Sequence, residues 1–327
     1  MADGNGLEFT SVTCFKAGFL KKLPVLLFIL NSLVAAKAFC AQVESLPDEK
    51  LPQKVFETGV SQSEVQYLID NYSGKISRDN TISILNNSVC YRAYVRKRLS
   101  ELNMPSCLEY LPIIESDYKP TAKPPNGSSM GIWQFMPNSV HPYMELSEYI
   151  DERRDPWIST EGALNKLKAN YDTFGDWLLA LAAYNCGAGA VKRAIKQATN
   201  KTYSGLCEEN LIPDHAKIYV KRFLALCNMI INAELNEDKE LAQANEIYTI
   251  GDSDYFFYTD FDYITVNHSI SLIVLAMELR IDYEILRSLN LSLIKDCTPP
   301  GREYRLRVPA GMGVACSDAI ERLLSQK

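Results

Sequence analysis

Apolar residues recur at helical spacing through most of the chain. Between Ser61 and Leu102 they fall at Val65, Leu68 and Ile69, at Ile82, Ile84 and Leu85, and at Val89, Tyr94, Val95 and Leu99. That spacing predicts packing helices. A further stripe of Ala163, Leu164, Leu167 and Tyr171 follows Asp155-Pro156, an N-cap acid with proline at the first helical position, which predicts a helix over about 156 to 173. Trp177 to Tyr184 is apolar almost all round, the pattern of a fully buried helix. Gly187 and Gly189 are expected to stop it before a helix carrying Val191, Ala194 and Ile195. His215 to Ile231 is helical again.

The pattern changes beyond a boundary near 236 to 246. Tyr255, Phe257, Tyr258, Ile264 and Val266 predict short strands, and Leu272 to Leu289 predicts two helices. At the other end, Lys16, Lys21 and Lys22 precede the apolar run Leu23 to Val34, which leads to Ala36-Lys37-Ala38. This is the layout of a secretory signal peptide. Its core of about a dozen apolar residues falls short of the roughly 20 needed to span a bilayer, so cleavage after Ala38 is favoured over anchoring. Bulky Phe39 before Cys40 speaks against a lipidated cysteine. Export to the periplasm or cell envelope is expected.

With 327 residues and 47% hydrophobic composition, the chain can hold one substantial domain and a smaller one. The expected division is a signal and cleavage region at 1–41, an exposed linker at 42–53, a helical extension at 54–104, a catalytic domain at 105–235 and a C-terminal segment at 246–327. The net charge of −6 is uneven: 17 basic face 16 acidic residues in 90–235, but 9 face 15 in 236–327. Nucleic acid is thereby disfavoured as a partner. None of the nine cysteines forms a CxxC pair, and His141, His215 and His268 are far apart. No metal or cofactor is expected from such spacing. Cys297 and Cys316 are expected to pair as a disulfide if the compartment is oxidising.

Candidate chemistry begins at Glu115, which directly follows Leu111, Ile113 and Ile114. Desolvation there would disfavour the carboxylate and keep the acid protonated near neutral pH, as a proton donor needs. A helix cap or an ion pair with Lys119 or Lys123 is the structural alternative. A turn-rich loop then leads to a short apolar stretch holding one amide, Gln134, a combination suited to sugar binding. The charged run Asp151 to Asp155 is expected to cap and support structure. Gly187 and Gly189 do not form a phosphate loop, because no strand precedes them and no lysine or serine completes one.

Glu115-Ser116, Gly131-Ile-Trp-Gln134-Phe-Met-Pro137, Asp151-Glu-Arg-Arg-Asp-Pro156 and Ala183-Tyr-Asn-Cys-Gly187 occur in this order. The series resembles the lytic murein transglycosylases, in particular the D-type subgroup of glycoside hydrolase family 23. The resemblance covers about residues 105 to 232. It implies a mainly α protein: a lysozyme-like transglycosylase domain followed by a small α+β LysM-like module, the latter resembled by Ile281 to Asn290 and Thr298 to Ala310.

The resemblance also implies that one glutamate, Glu115, does all the proton transfer, in contrast to the two-carboxylate scheme of glycosidases. The product would be a 1,6-anhydro-N-acetylmuramic acid end. Gln134, Tyr184, Asn185, Tyr219, Ser129 and Met130 are the implied substrate contacts. Peptidoglycan glycan strands are the implied partner, and peripheral association with wall or membrane is compatible with it. Three departures stand out: Pro124 where relatives carry a serine, a Glu115 to Gln134 interval one residue longer, and Asp214-His215 where Glu-Thr is typical. A wall-binding scaffold with a drifted catalytic loop and a hydrolytic muramidase of the same fold are the alternatives.

Overall fold

The computed structural model describes residues 62–125, 127–246 and 261–325. The expected signal peptide, the linker and the aromatic positions 255–258 lie outside the described residues. Three helices come first: α1 (Gln62–Asp70), α2 (Arg78–Asn87) and α3 (Val89–Glu101). Their predicted apolar positions Val65, Leu68, Leu85, Val95 and Leu99 are buried in one large core. A 3-10 turn (Ser106–Tyr110) runs into the short α4 (Leu111–Ser116), which ends because Asp117 turns left-handed.

The centre of the molecule is built from α5 (Pro156–Phe174), α6 (Trp177–Cys186), α7 (Ala188–Gln197), α8 (Tyr203–Glu208), α9 (Asp214–Ile231) and α10 (Lys239–Asn245). Asp155 starts α5 as the sequence predicts: its carboxylate accepts from the amides of Trp157 and Ile158 at 3.1 and 2.9 Å. Asp176 caps α6 in the same way. Every residue of α6 from Trp177 to Tyr184 is buried, against α5, α7 and α9. Full burial of each of its leucines stabilises the fold by about 1.5–3 kcal/mol. Gly187 terminates α6 with a left-handed φ of +86°. Gly189 is not part of that stop, contrary to the expectation from sequence; it lies in the first turn of α7, where Ala188 and Ala190 already supply helical propensity.

The C-terminal part has its own smaller core around Leu275, Leu286, Leu306, Val308 and Cys316. Strand β1 (Phe261–Val266) pairs antiparallel with β2 (Tyr304–Pro309), in the register Phe261 with Pro309 and Val266 with Tyr304. Between them lie α11 (Leu272–Leu279) and α12 (Tyr283–Leu289), and α13 (Gly313–Ser325) closes the unit against both strands. Cys297 and Cys316 are separate thiols, against the expected disulfide; Cys316 is wholly buried in this core on α13. Ile150, from the loop before α5, is buried in the same small core.

Candidate active site

Glu115 sits one residue before the end of α4, where Tyr219 of α9 reaches it: the Tyr219 hydroxyl donates to Glu115 Oε1 at 2.6 Å. The residue as a whole is part-exposed. Burial pushes its pKa up to about 7, against the opposing effects of the Tyr219 hydrogen bond and of the Lys166 and Arg222 cations. Near neutral pH it therefore exists substantially as the acid. No other carboxylate among the described residues acts on it. Asp117, its nearest acid in sequence, turns out to the surface and pairs with Lys119 at 3.1 Å.

The loop that faces this helix is fixed by backbone and side chain together. Ser116, the partner of the acid in the sequence motif, donates through Oγ to Ile132 O at 2.9 Å and so ties α4 to the loop. Trp133 is completely buried, its indole N–H on Thr160 Oγ1 at 2.9 Å. Gln134 has a left-handed φ of 48°, a conformation that costs a non-glycine residue about 1–2 kcal/mol. Its side chain offsets that strain: Nε2 donates to Ala122 O and Gly131 O at 3.0 and 2.8 Å, and Oε1 accepts from Ser129 Oγ at 2.7 Å. Met130 and Phe135 exchange backbone hydrogen bonds across the same turn. In this state Gln134 and Ser129 brace the loop.

Tyr184 is buried on α6, with its hydroxyl donating to Trp133 O at 2.9 Å and its ring edge-on to Phe135. Lys166 Nζ lies 4.6 Å from the centre of that ring and 5.3 Å from Phe135, a cation held over two aromatic faces. Burial lowers the Lys166 pKa, partly opposed by Glu115. Asn185 is exposed at the end of α6.

Against known proteins, the transglycosylase SLT domain matches residues 95–206, and the LysM-like domain of lytic transglycosylase MltD matches residues 260–322. Membrane-bound lytic murein transglycosylase D of Escherichia coli K12 is 36% identical over 148 residues, covering 44% of this chain and 32% of that protein. A putative tributyltin chloride resistance protein of Alteromonas sp. strain M-1 is 32% identical over 148 residues, covering 45% of this chain and 70% of its own length. The chain belongs to the transglycosylase SLT family, in its MltD subgroup. Its match spans about a third of the E. coli relative's length.

Helices distant in sequence bring Glu115 and Tyr184 together with Tyr219, which lies on α9 beyond the SLT match, and Gln134, Ser129 and Met130 form the adjoining loop. Sequence reasoning missed Lys166 and Arg222. Arg222 was findable, since it lies three positions after Tyr219 and therefore on the same face of α9. Lys166 carries no such signal: it stands among the leucines of α5 as any solvated lysine would.

Proposed function

We propose that this SLT protein is a lytic transglycosylase acting on peptidoglycan, cleaving the β-1,4 bond from N-acetylmuramic acid to N-acetylglucosamine with Glu115 as its one acid and base. The observation that carries this reading is a desolvated glutamic acid with a pKa near 7, held by a tyrosine and faced by cations rather than by a second carboxylate. Protonated Glu115 gives its proton to the glycosidic oxygen as the bond to the muramic acid C1 breaks. The sugar's own N-acetyl carbonyl supports the cationic carbon. Glu115, now a carboxylate, takes the proton of the C6 hydroxyl as that oxygen closes on C1.

Delivery of an internal hydroxyl has the advantage of proximity over water, and a hydrolase would need a further group to activate water across the ring. Tyr219 occupies Oε1 and so leaves Oε2 for the substrate. Tyr184, Asn185, Gln134, Ser129 and Met130 line the approach, the last three through the loop they brace. Export by the N-terminal segment would place the protein with its polymer in the cell envelope.

Digestion of purified sacculi tests this. The expected products are muropeptides ending in 1,6-anhydro-N-acetylmuramic acid, each lighter by one water than a lysozyme product. Mainly reducing-end N-acetylmuramic acid would establish a muramidase instead, and binding without release would establish a scaffold.

A further inference from the structure

The contact between the LysM-like module and the SLT domain is unlike that of a tethered binding module. Arg307 of β2 is 4% exposed, and its guanidinium points out of its own module to form an ion pair with Asp155, which is fully buried. The same guanidinium donates to Leu289 O at 3.2 Å and stacks about 5.0 Å from both Trp157 and Phe261. Asp155 is the residue that caps α5. Backbone pairs flank the contact: Asp151 N donates to Ser292 O and Ile294 N to Tyr149 O, each at 2.8 Å. At the rim, Arg302 grips Glu145 through two hydrogen bonds of 2.7 and 2.8 Å, and Lys295 pairs with Glu148.

The segment held in this way is the one on which the substrate loop rests. Asp151 accepts two hydrogen bonds of 2.8 Å from the Arg153 guanidinium. Arg153 in turn donates to Ser128 O at 2.7 Å and Phe135 O at 3.2 Å, the two ends of the loop that carries Ser129, Met130 and Gln134. The loop's middle is just as close: a Cβ on Gly131 would stand 1.7 Å from Arg153 O. Two charge-assisted contacts, Arg307 with Asp155 and Arg153 with Asp151, are thus joined by the single 3-10 turn of 152–154, whose backbone closes through Arg154 N to Asp151 O and Asp155 N to Glu152 O, and together they link β2 of the module to the loop beside α4.

Building on the transglycosylase reading of the cleft, we propose that the LysM-like module is a fixed brace of the substrate loop, with Arg307 as a positioning residue acting through the Asp151–Asp155 segment. The module's contribution to the reaction is then the geometry of the loop and not capture of the polymer alone.

The test compares Arg307→Met and Arg307→Lys in the full chain, reading amide hydrogen exchange and the kinetics of sacculus digestion. In Arg307→Met, amides of 128–135 should exchange about tenfold faster or more, with those of α6 unchanged. The value of kcat should fall about 10- to 100-fold, the scale of an ångström-level misplacement, while KM stays nearly constant. Arg307→Lys should recover part of both. A general loss of stability would instead speed exchange in α6 equally and overturn the proposal. So would weaker pelleting with sacculi while 128–135 stays protected. Should Arg307→Met fail to fold, Arg307→Lys, which keeps a charge beside Asp155 but loses the planar fork, carries the test alone; exchange at 128–135 equal to wild type in that variant also overturns the brace. If the wild-type chain releases nothing from sacculi, the transglycosylase reading fails, and the exchange measurement still decides the brace.

Discussion

Glu109 and Glu115 stand six positions apart at the edge of one core, and their surroundings drive them in opposite directions. Glu109, 1% exposed, is clamped by Arg96 at 2.5 and 2.6 Å and by Arg92 at 3.1 Å. These cations outweigh burial and hold its carboxyl below the usual range. Arg92 also donates to the backbone of Leu85, Ala244 and Asn245, so the pair joins helices from both ends of the domain. Glu115 meets burial with one hydroxyl and two more distant cations, and its pKa rises to about 7. Burial alone does not decide the direction of a carboxyl's pKa; here it wins at Glu115, where no guanidinium clamps the acid, and loses at Glu109, where two do.

The largest expected effect comes from Glu115→Gln, which keeps the shape but cannot supply a proton. Sacculus cleavage should fall by about 10²–10⁴-fold or more, with the circular dichroism spectrum unchanged; substantial residual activity in the purified variant would refute the assignment. The same variant should be more stable than wild type at pH 8. A raised folded-state pKa means that Glu115 contributes stability below its unfolded pKa near 4.5 and loses it as pH rises through about 7. With the residue part-exposed and its charge partly screened, the gain at pH 8 should be about 1–2 kcal/mol, and a thermal melt at pH 4 should show none.

Glu109→Gln should do the reverse. Stranding the buried Arg92 guanidinium, with part-exposed Arg96 beside it, costs about 3–5 kcal/mol, readable as a fall in denaturation midpoint, while activity per folded molecule stays near wild type. Because the Glu109 pKa is lowered, its stabilisation is present above the unfolded pKa and lost as pH falls through the folded one. The Glu109→Gln deficit should therefore shrink in acid. Loss of catalysis in fully folded Glu109→Gln would erase the distinction between the two residues.

A smaller effect is expected of Lys166→Met. Glu115 is faced by the Tyr219 hydroxyl, by Tyr184 and by the Lys166 and Arg222 cations. Removing the Lys166 charge disfavours the Glu115 carboxylate, so its pKa rises. Activity that needs the protonated acid should then persist to higher pH, with the alkaline limb of kcat/KM displaced upward by about half a pH unit. An unmoved or lowered limb would show that Lys166 does not act on Glu115.

Glu115 and Glu109 differ in how far their surroundings could be read from sequence. Glu115 stood out because apolar neighbours and ordered motifs surround it, and the α5 cap and buried α6 followed from local pattern. The Glu109 clamp did not: Arg92 and Arg96 lie on a different helix, and Asn245 is more than a hundred positions away. The ion pair of Arg307 with Asp155 spans 152 positions, a separation at which periodicity carries no information. Asp155 was expected to cap a helix, and it does, with one carboxylate oxygen; what the other oxygen holds belongs to tertiary structure. Cys297 and Cys316 were expected to pair because they flank a turn, yet packing of Cys316 inside the module's core decides its position.

Gly131 sets a limit for anyone who would redesign this loop. At φ +86° and with the Arg153 carbonyl where a methyl group would go, even alanine there must part the loop from its support. A combinatorial library spread over 127–135 would lose the members that lack glycine at 131, whatever the merit of their other changes. Diversity is better confined to the exposed side chain of Ser128, with position 131 held invariant.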